Sequence, residues 1–146
     1  GRIITVMGRS GAVIWDAETG EQIKVFKGGH TEYLTFASFS PDGGRVATAS
    51  HDRTAIIWNA KTGKRIWKLK GHEGYVNSAV FSPDGARIVT TFGNETAEVW
   101  DASTGKQLLT LTVSATGDYV TSISFSPDGS RIVTAPPSPI VMWWGG

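Results

Sequence analysis

The sequence predicts an all-β fold built from repeated four-stranded antiparallel sheets. Its 146 residues hold about three and a half of them. Three observations predict this. Trp15, Trp58, Trp100 and Trp143 recur at intervals of 43, 42 and 43 residues. Ser-Pro-Asp-Gly recurs at 40–43, 82–85 and 126–129. A third punctuation, Asp-Ala-Glu-Thr-Gly at 16–20, returns as Asn-Ala-Lys-Thr-Gly at 59–63 and Asp-Ala-Ser-Thr-Gly at 101–105. Independent markers that share one period identify a repeat architecture before any local structure is assigned.

Within the period, each element follows from its own residues. Val76–Phe81 leads into Ser-Pro-Asp-Gly, and 87–91 leaves it. Pro at the first central position and Gly at the last suit a tight hairpin. Thr54–Trp58 ends at Asn-Ala-Lys-Thr-Gly, and Arg65–Leu69 ends at Gly71-His72, as the preceding repeat ends at Gly29-His30. These short runs, rich in Val, Ile, Thr and aromatics, read as strands a to d of one sheet. No segment shows helical periodicity. The chain opens on b (Arg2–Met7), c (Ala12–Asp16) and d (Gln22–Lys27) and passes through two full repeats. It closes on a (Val120–Ser126), b (Arg131–Ala135) and c (Ile140–Trp144). One repeat region, 1–146, therefore divides into a partial unit 1–28, full units 29–70 and 71–113, and a partial, degenerate unit 114–146.

A period of about 42, four strands, Gly-His at one end and Trp with Asp or Asn at the other resemble the WD40 repeat. The resemblance spans essentially the whole chain and implies β-propeller blades arranged around a central channel. It also implies a hydrogen-bonded tetrad in each blade. His30, Thr48, Asp52 and Trp58 match all four positions. His72, Thr90, Asn94 and Trp100 match in the next repeat, with Asn in place of the acid. The outer repeats depart from the pattern. Thr5 and Trp15 are present with Arg9 where the acid belongs, and Thr116 replaces His in the last repeat. There, Thr-Ala-Pro-Pro-Ser-Pro at 134–139 replaces the turn, and Trp143-Trp144 stands where Trp-Asp would be.

Composition narrows the chemistry. Fourteen Lys and Arg against 13 Asp and Glu give a net charge of +1, which argues against electrostatically driven binding to nucleic acid or an anionic membrane. Without cysteine there is no disulfide, thiol nucleophile or thiolate zinc site. His30, His51 and His72 lack zinc-ligand spacing, and neither a nucleophile elbow nor a phosphate loop occurs. No cofactor and no enzymatic activity are expected, so His30 and His72 read as structural. No apolar run approaches the ~20 residues of a membrane helix, and no signal peptide opens the chain, which makes the cytoplasm the default compartment. Gly rather than Met at position 1 points to a processed, trimmed or engineered start. The basic stretch Lys61, Lys64, Arg65, Lys68 and Lys70 falls on a d strand, where charge guards an exposed edge.

Tyr33, Tyr75 and Tyr119 hold one place in successive repeats, three residues past the His position. The resemblance puts that loop on the top face, which the family generally uses for partners. Two readings stay open: an arc of amphipathic anchors, or a packing position between blades. Met7, Ser50, His51, Phe92 and Glu95, near the ends of b strands, differ between repeats, and with Arg53 they complete the candidate partner-binding set. The expected function is a non-catalytic scaffold presenting pre-organised top-face loops to a protein or peptide. The alternative is a truncated, reconstructed or designed propeller fragment that self-assembles into an oligomeric ring, or the sensor portion of a larger multidomain protein. Fourteen strands fall short of the four to eight blades of a closed propeller, so a homodimer is expected to complete one. Simple head-to-tail closure would duplicate strands b and c.

Overall fold

The computed structural model describes residues 1–9, 11–93, 96–112, 120 and 122–135. Among these the chain is all-β, with no helix. Four antiparallel sheets follow one another. The first orders β1 (Arg2–Val6), β2 (Ala12–Asp16) and β3 (Gln22–Phe26). The second orders β4 (Leu34–Phe39), β5 (Arg45–Ser50), β6 (Ala55–Asn59) and β7 (Arg65–Leu69). The third orders β8 (Val76–Phe81), β9 (Arg87–Phe92), β10 (Thr96–Asp101) and β11 (Gln107–Thr112). The fourth pairs β12 (Ser122–Phe125) with β13 (Ile132–Ala135). Strand ends differ from the expected ones by a residue or two, and the strand expected at 140–144 lies outside the described residues.

Side chains lock the turns. Gly43 N–H donates to the Ser40 carbonyl (2.8 Å), and Gly43 takes a φ of 69° that other residues resist. Ser40 Oγ donates to Asp42 Oδ1 (2.6 Å) and accepts from Arg45 N–H (2.9 Å). Ser82 and Ser126 repeat this arrangement. In the other punctuation, Asp16, Asn59 and Asp101 accept the amides two and three residues ahead. Such side-chain-to-backbone bonds compete with strand pairing and so end the strand there.

The core lies between sheets. Alternation along β5 and β6 sends Val46 and Ile56 toward the first sheet, against Ala12, Ile14 and Phe26. It sends Ala47, Ala49, Ala55 and Ile57 the other way, into one cluster with Phe81, Phe92 and Trp100 of the third sheet. Val89, Ala97 and Val99 meet Ile123, Phe125 and Ile132 at the next junction. Each fully buried Val or Ile contributes about 1.5–3 kcal/mol, so a strand covered on both faces counts twice over.

Polar stitches fix neighbouring sheets. Thr35 Oγ1 donates to the Val76 carbonyl (2.6 Å), Ser38 Oγ to Ala79 (2.7 Å) and Asn77 Nδ2 to Val120 (3.1 Å), all from inner strands. At the opposite end Arg2 donates to the Gly43 carbonyl (2.9 Å) and lies over Phe39. Arg45 does the same one sheet on, donating to Gly85 (2.8 Å) and Ala102 (3.1 Å) while covering Phe81.

Candidate functional site

The second sheet assembles a polar chain from four elements. Trp58 on β6 donates its indole N–H to Thr48 Oγ1 on β5 (2.9 Å). Thr48 Oγ1 lies 2.8 Å from His30 Nε2, and His30 Nδ1 lies 3.0 Å from Asp52 Oδ2. The proton count follows. The hydroxyl accepts from the indole and donates to Nε2, which leaves Nδ1 protonated and donating to the carboxylate. Asp52 also accepts the Thr31 and Thr54 amides (3.0 Å each) and the Thr54 hydroxyl (2.6 Å). Burial pushes the Asp52 carboxyl up, but the Thr54 hydroxyl, the Thr31 amide and His30 outweigh it and hold it below the usual range. Burial holds the His30 imidazole below its ordinary value despite Asp52. The loop approaches closely here: a Cβ on Gly29 would fall 2.4 Å from the Trp58 ring.

Carboxylate, histidine and hydroxyl in this order resemble a nucleophilic triad. The hydroxyl, however, belongs to fully buried Thr48 beneath Trp58, so no substrate reaches it. The arrangement ties the 28–31 loop to the sheet.

The third sheet solves the same problem differently. Trp100 donates to Thr90 Oγ1 (2.9 Å), which lies 2.9 Å from His72 Nε2. His72 Nδ1 donates to the backbone carbonyl of Arg53 (3.0 Å), on the preceding sheet. Arg53 has a φ of 67°, alone among the described non-glycine residues in the left-handed region. The nearest carboxylate is Glu98 on β10, whose Oε2 sits 3.4 Å from His72 Nε2. Glu98 Oε1 accepts from Gln107 (3.1 Å), while Oε2 is buried without a hydrogen-bond partner among the described residues. Burial lowers the His72 imidazole to about 4 and raises the Glu98 carboxyl. In the first sheet Trp15 donates to Thr5 Oγ1 (2.7 Å), and Arg9 turns outward to Glu32 (2.9 Å).

At the end of the sheets where these loops gather, Tyr33 and Tyr75 are 50% and 56% exposed. Each rests on the turn of the preceding sheet. Arg9 lies over the Tyr33 ring at 4.7 Å, and the His51 ring stacks on Tyr75 at 4.5 Å. Backbone bonds from His51 N–H to the Tyr33 carbonyl and from Gly93 N–H to the Tyr75 carbonyl hold the loops in place.

The family profile for the WD domain, G-beta repeat, matches residues 20–59, 63–101 and 105–138. The chain belongs to the WD40-repeat family. Proteins built of WD40 repeats are in general β-propeller interaction scaffolds without catalytic activity. The first two matches each begin just before the outer strand of one blade and end at the third strand of the next. Each sequence repeat thus joins two blades covalently. No curated protein matches the chain.

The structure sorts the candidate residues. Tyr33, Tyr75, His51, Arg53 and Met7 reach the surface at the loop end. Phe92 does not. It is 6% exposed, lies in the core between the second and third blades and meets His72 edge-on at 5.0 Å, because the second blade covers the end of β9. Ser50 is buried as well, bonding the Glu32 carbonyl and the Asp52 amide. Asn94, Glu95 and Tyr119 lie outside the described residues. Arg65 and Lys68 lie on β7, the outer edge of the second blade, and Lys68 Nζ donates to the Gly29 carbonyl (3.1 Å). Sequence reasoning missed Glu98, which stands where the second blade has Ile56: Glu98 faces Thr90 across the strands as Ile56 faces Thr48. A charged residue in an apolar strand was the available signal. It also missed the Arg2 and Arg45 clamps, although Arg recurs at that place in every repeat. Among the described residues no His, Asp and Glu group could hold a metal ion, and no helix is long and apolar enough to cross a membrane.

Proposed function

We propose that this chain is a non-catalytic scaffold that docks a protein or peptide on the loop end carrying Tyr33 and Tyr75. One observation supports the reading above the rest: both tyrosines are half exposed yet held in place, on Arg9 and His51 respectively. A large amphipathic ring that is already immobilised loses little entropy on binding, which is what a hot-spot residue requires. The two sequence readings of these positions, anchor and packing residue, are compatible in this geometry. Met7 and Arg53, exposed in the turns that carry Arg9 and His51, would set specificity. A peptide library selected on the immobilised chain tests the proposal. Tyr33→Ser combined with Tyr75→Ser should abolish capture of the selected peptides while the cooperative unfolding transition persists. Undiminished capture by the folded double variant would end the proposal.

A second reading, self-association of blades into a ring, draws on the first blade. Ile3 is 52% exposed there, and Trp15 is partly exposed where Trp58 and Trp100 are buried against a preceding blade. Ile3→Lys separates the two readings: association through that face should be lost in the variant, whereas docking on Tyr33 and Tyr75 should be unchanged.

A further inference from the structure

The outer strands of the three larger blades differ in charge. β3 carries Lys24, and β7 carries Arg65 and Lys68. β11 is Gln-Leu-Leu-Thr-Leu-Thr, with no charged residue. It ends its sheet, so its outer row of N–H and C=O groups is unpaired among the described residues. Leu109 on this edge is 53% exposed, and Leu108 is similarly open. An uncharged apolar edge is what sheets ordinarily guard against, because it templates pairing with another strand.

We infer that β11 is a self-association edge, pairing antiparallel with β11 of a second copy about a two-fold axis at Thr110. In that register Thr110 meets Thr110, and Leu109 meets Leu111 on either side. Such Thr–Thr and apolar pairs are favourable across strands, and no like charges meet. Leu109 and Leu111 share one face, so the four leucines extend the apolar cluster in which Leu111 packs against Val99 and Ile123. The same operation on β3 sets Lys24 against Lys24, and on β7 it gathers two Arg65 and two Lys68 side chains into one ribbon. Freedom from like-charge contacts distinguishes β11 from β3 and β7, and the register that matches Thr110 with itself and Leu109 with Leu111 makes a second copy of this strand the occupant. The contact is isologous and closes at two chains. It is separate from the Ile3 and Trp15 face considered above.

The absence of cysteine makes a single-site probe clean. Residues paired across strands have Cβ atoms about 4.5–5.5 Å apart, close to the span of a disulfide. Thr110→Cys under mild oxidation should therefore give a covalent dimer, whereas Ile3→Cys should not. Sedimentation of the wild-type chain should give twice the chain mass. Thr110→Lys and Leu109→Lys should each lose that species, with an unfolding midpoint equal to wild type once the wild type is diluted to monomer. A wild-type chain that stays monomeric at its highest soluble concentration would overturn the inference. So would a dimer that survives both lysine variants, or cross-linking through Ile3→Cys alone.

Discussion

In the second blade the imidazole of His30 bridges a hydroxyl and a carboxylate. In the third, His72 bridges a hydroxyl and the backbone carbonyl of the neighbouring blade, and the carboxylate has moved to the hydroxyl side. The first arrangement is self-contained: four side chains of one repeat satisfy one another, and the charge of Asp52 is met by four donors. The second depends on its neighbour and leaves Glu98 Oε2 without a hydrogen-bond partner among the described residues. Two repeats with the same histidine, threonine and tryptophan at the same spacing thus differ in what a substitution should cost.

The largest effect tests the shared part. Trp58→Ala removes a buried ring packed against Phe26 and strands the Thr48 hydroxyl, and should cost about 3–5 kcal/mol. Trp15→Ala makes the same deletion where the ring and its Thr5 partner are more exposed, and should cost less than half as much. Denaturant unfolding of both variants measures the ratio. Equal losses would mean that coverage by a preceding blade contributes little.

Asp52→Asn gives the second blade the residue type that the third has at position 94. A neutral amide cannot accept all four donors, and a loss of about 1–3 kcal/mol is expected near neutral pH. The sign with pH is set by the lowered carboxyl. Its contribution is present above the unfolded value of 3.8 and is lost as pH falls through the lower folded value. The difference in unfolding midpoint between wild type and Asp52→Asn should therefore narrow in acid. A pH-independent difference would place the cost elsewhere.

Glu98→Gln probes the third blade in the opposite direction. The folded carboxyl is raised, so the folded chain binds this proton more tightly and loses stability as pH rises above the unfolded value of 4.5. His72 acts the other way, losing stability as pH falls from 6.5 toward about 4, because burial favours the neutral ring. Above the unfolded value of 6.5 the imidazole is neutral in wild type and variant alike, so there their difference isolates the carboxyl. Glu98→Gln should gain on wild type with rising pH, reaching about 1–3 kcal/mol at pH 8. A variant less stable than wild type at pH 8 would show that the carboxylate is matched.

The all-β class, the turns and the period were open to reading because each rests on local chemistry: Pro and Gly conformations, Asx turns, and alternation of apolar residues. The composition of the second blade's tetrad was equally visible, since every partner recurs at a fixed offset. What stayed hidden depends on neighbours. Phe92 looks like a loose strand end in one dimension, and only the packing of two blades buries it. The Arg45 clamp and the Arg53 carbonyl belong to contacts between repeats, which a spacing argument within one repeat cannot reach.

The smallest effect addresses that last contact. Arg53 supplies only its backbone to His72, and it does so from a left-handed conformation that costs a non-glycine residue about 1–2 kcal/mol. Arg53→Gly keeps the carbonyl and removes the strain, but it adds about 0.5–1 kcal/mol of unfolded-state entropy. The balance is a net gain of about 0.5 kcal/mol. Arg53→Val keeps the same carbonyl and deepens the strain, because a β-branched residue resists positive φ, and it should lose about 1 kcal/mol or more. The order Gly, Arg, Val in unfolding midpoint follows from the backbone alone. An inverted order would mean that the Arg53 side chain, not its carbonyl, supports the third blade, and the contrast between the two histidines would then lie in side chains after all.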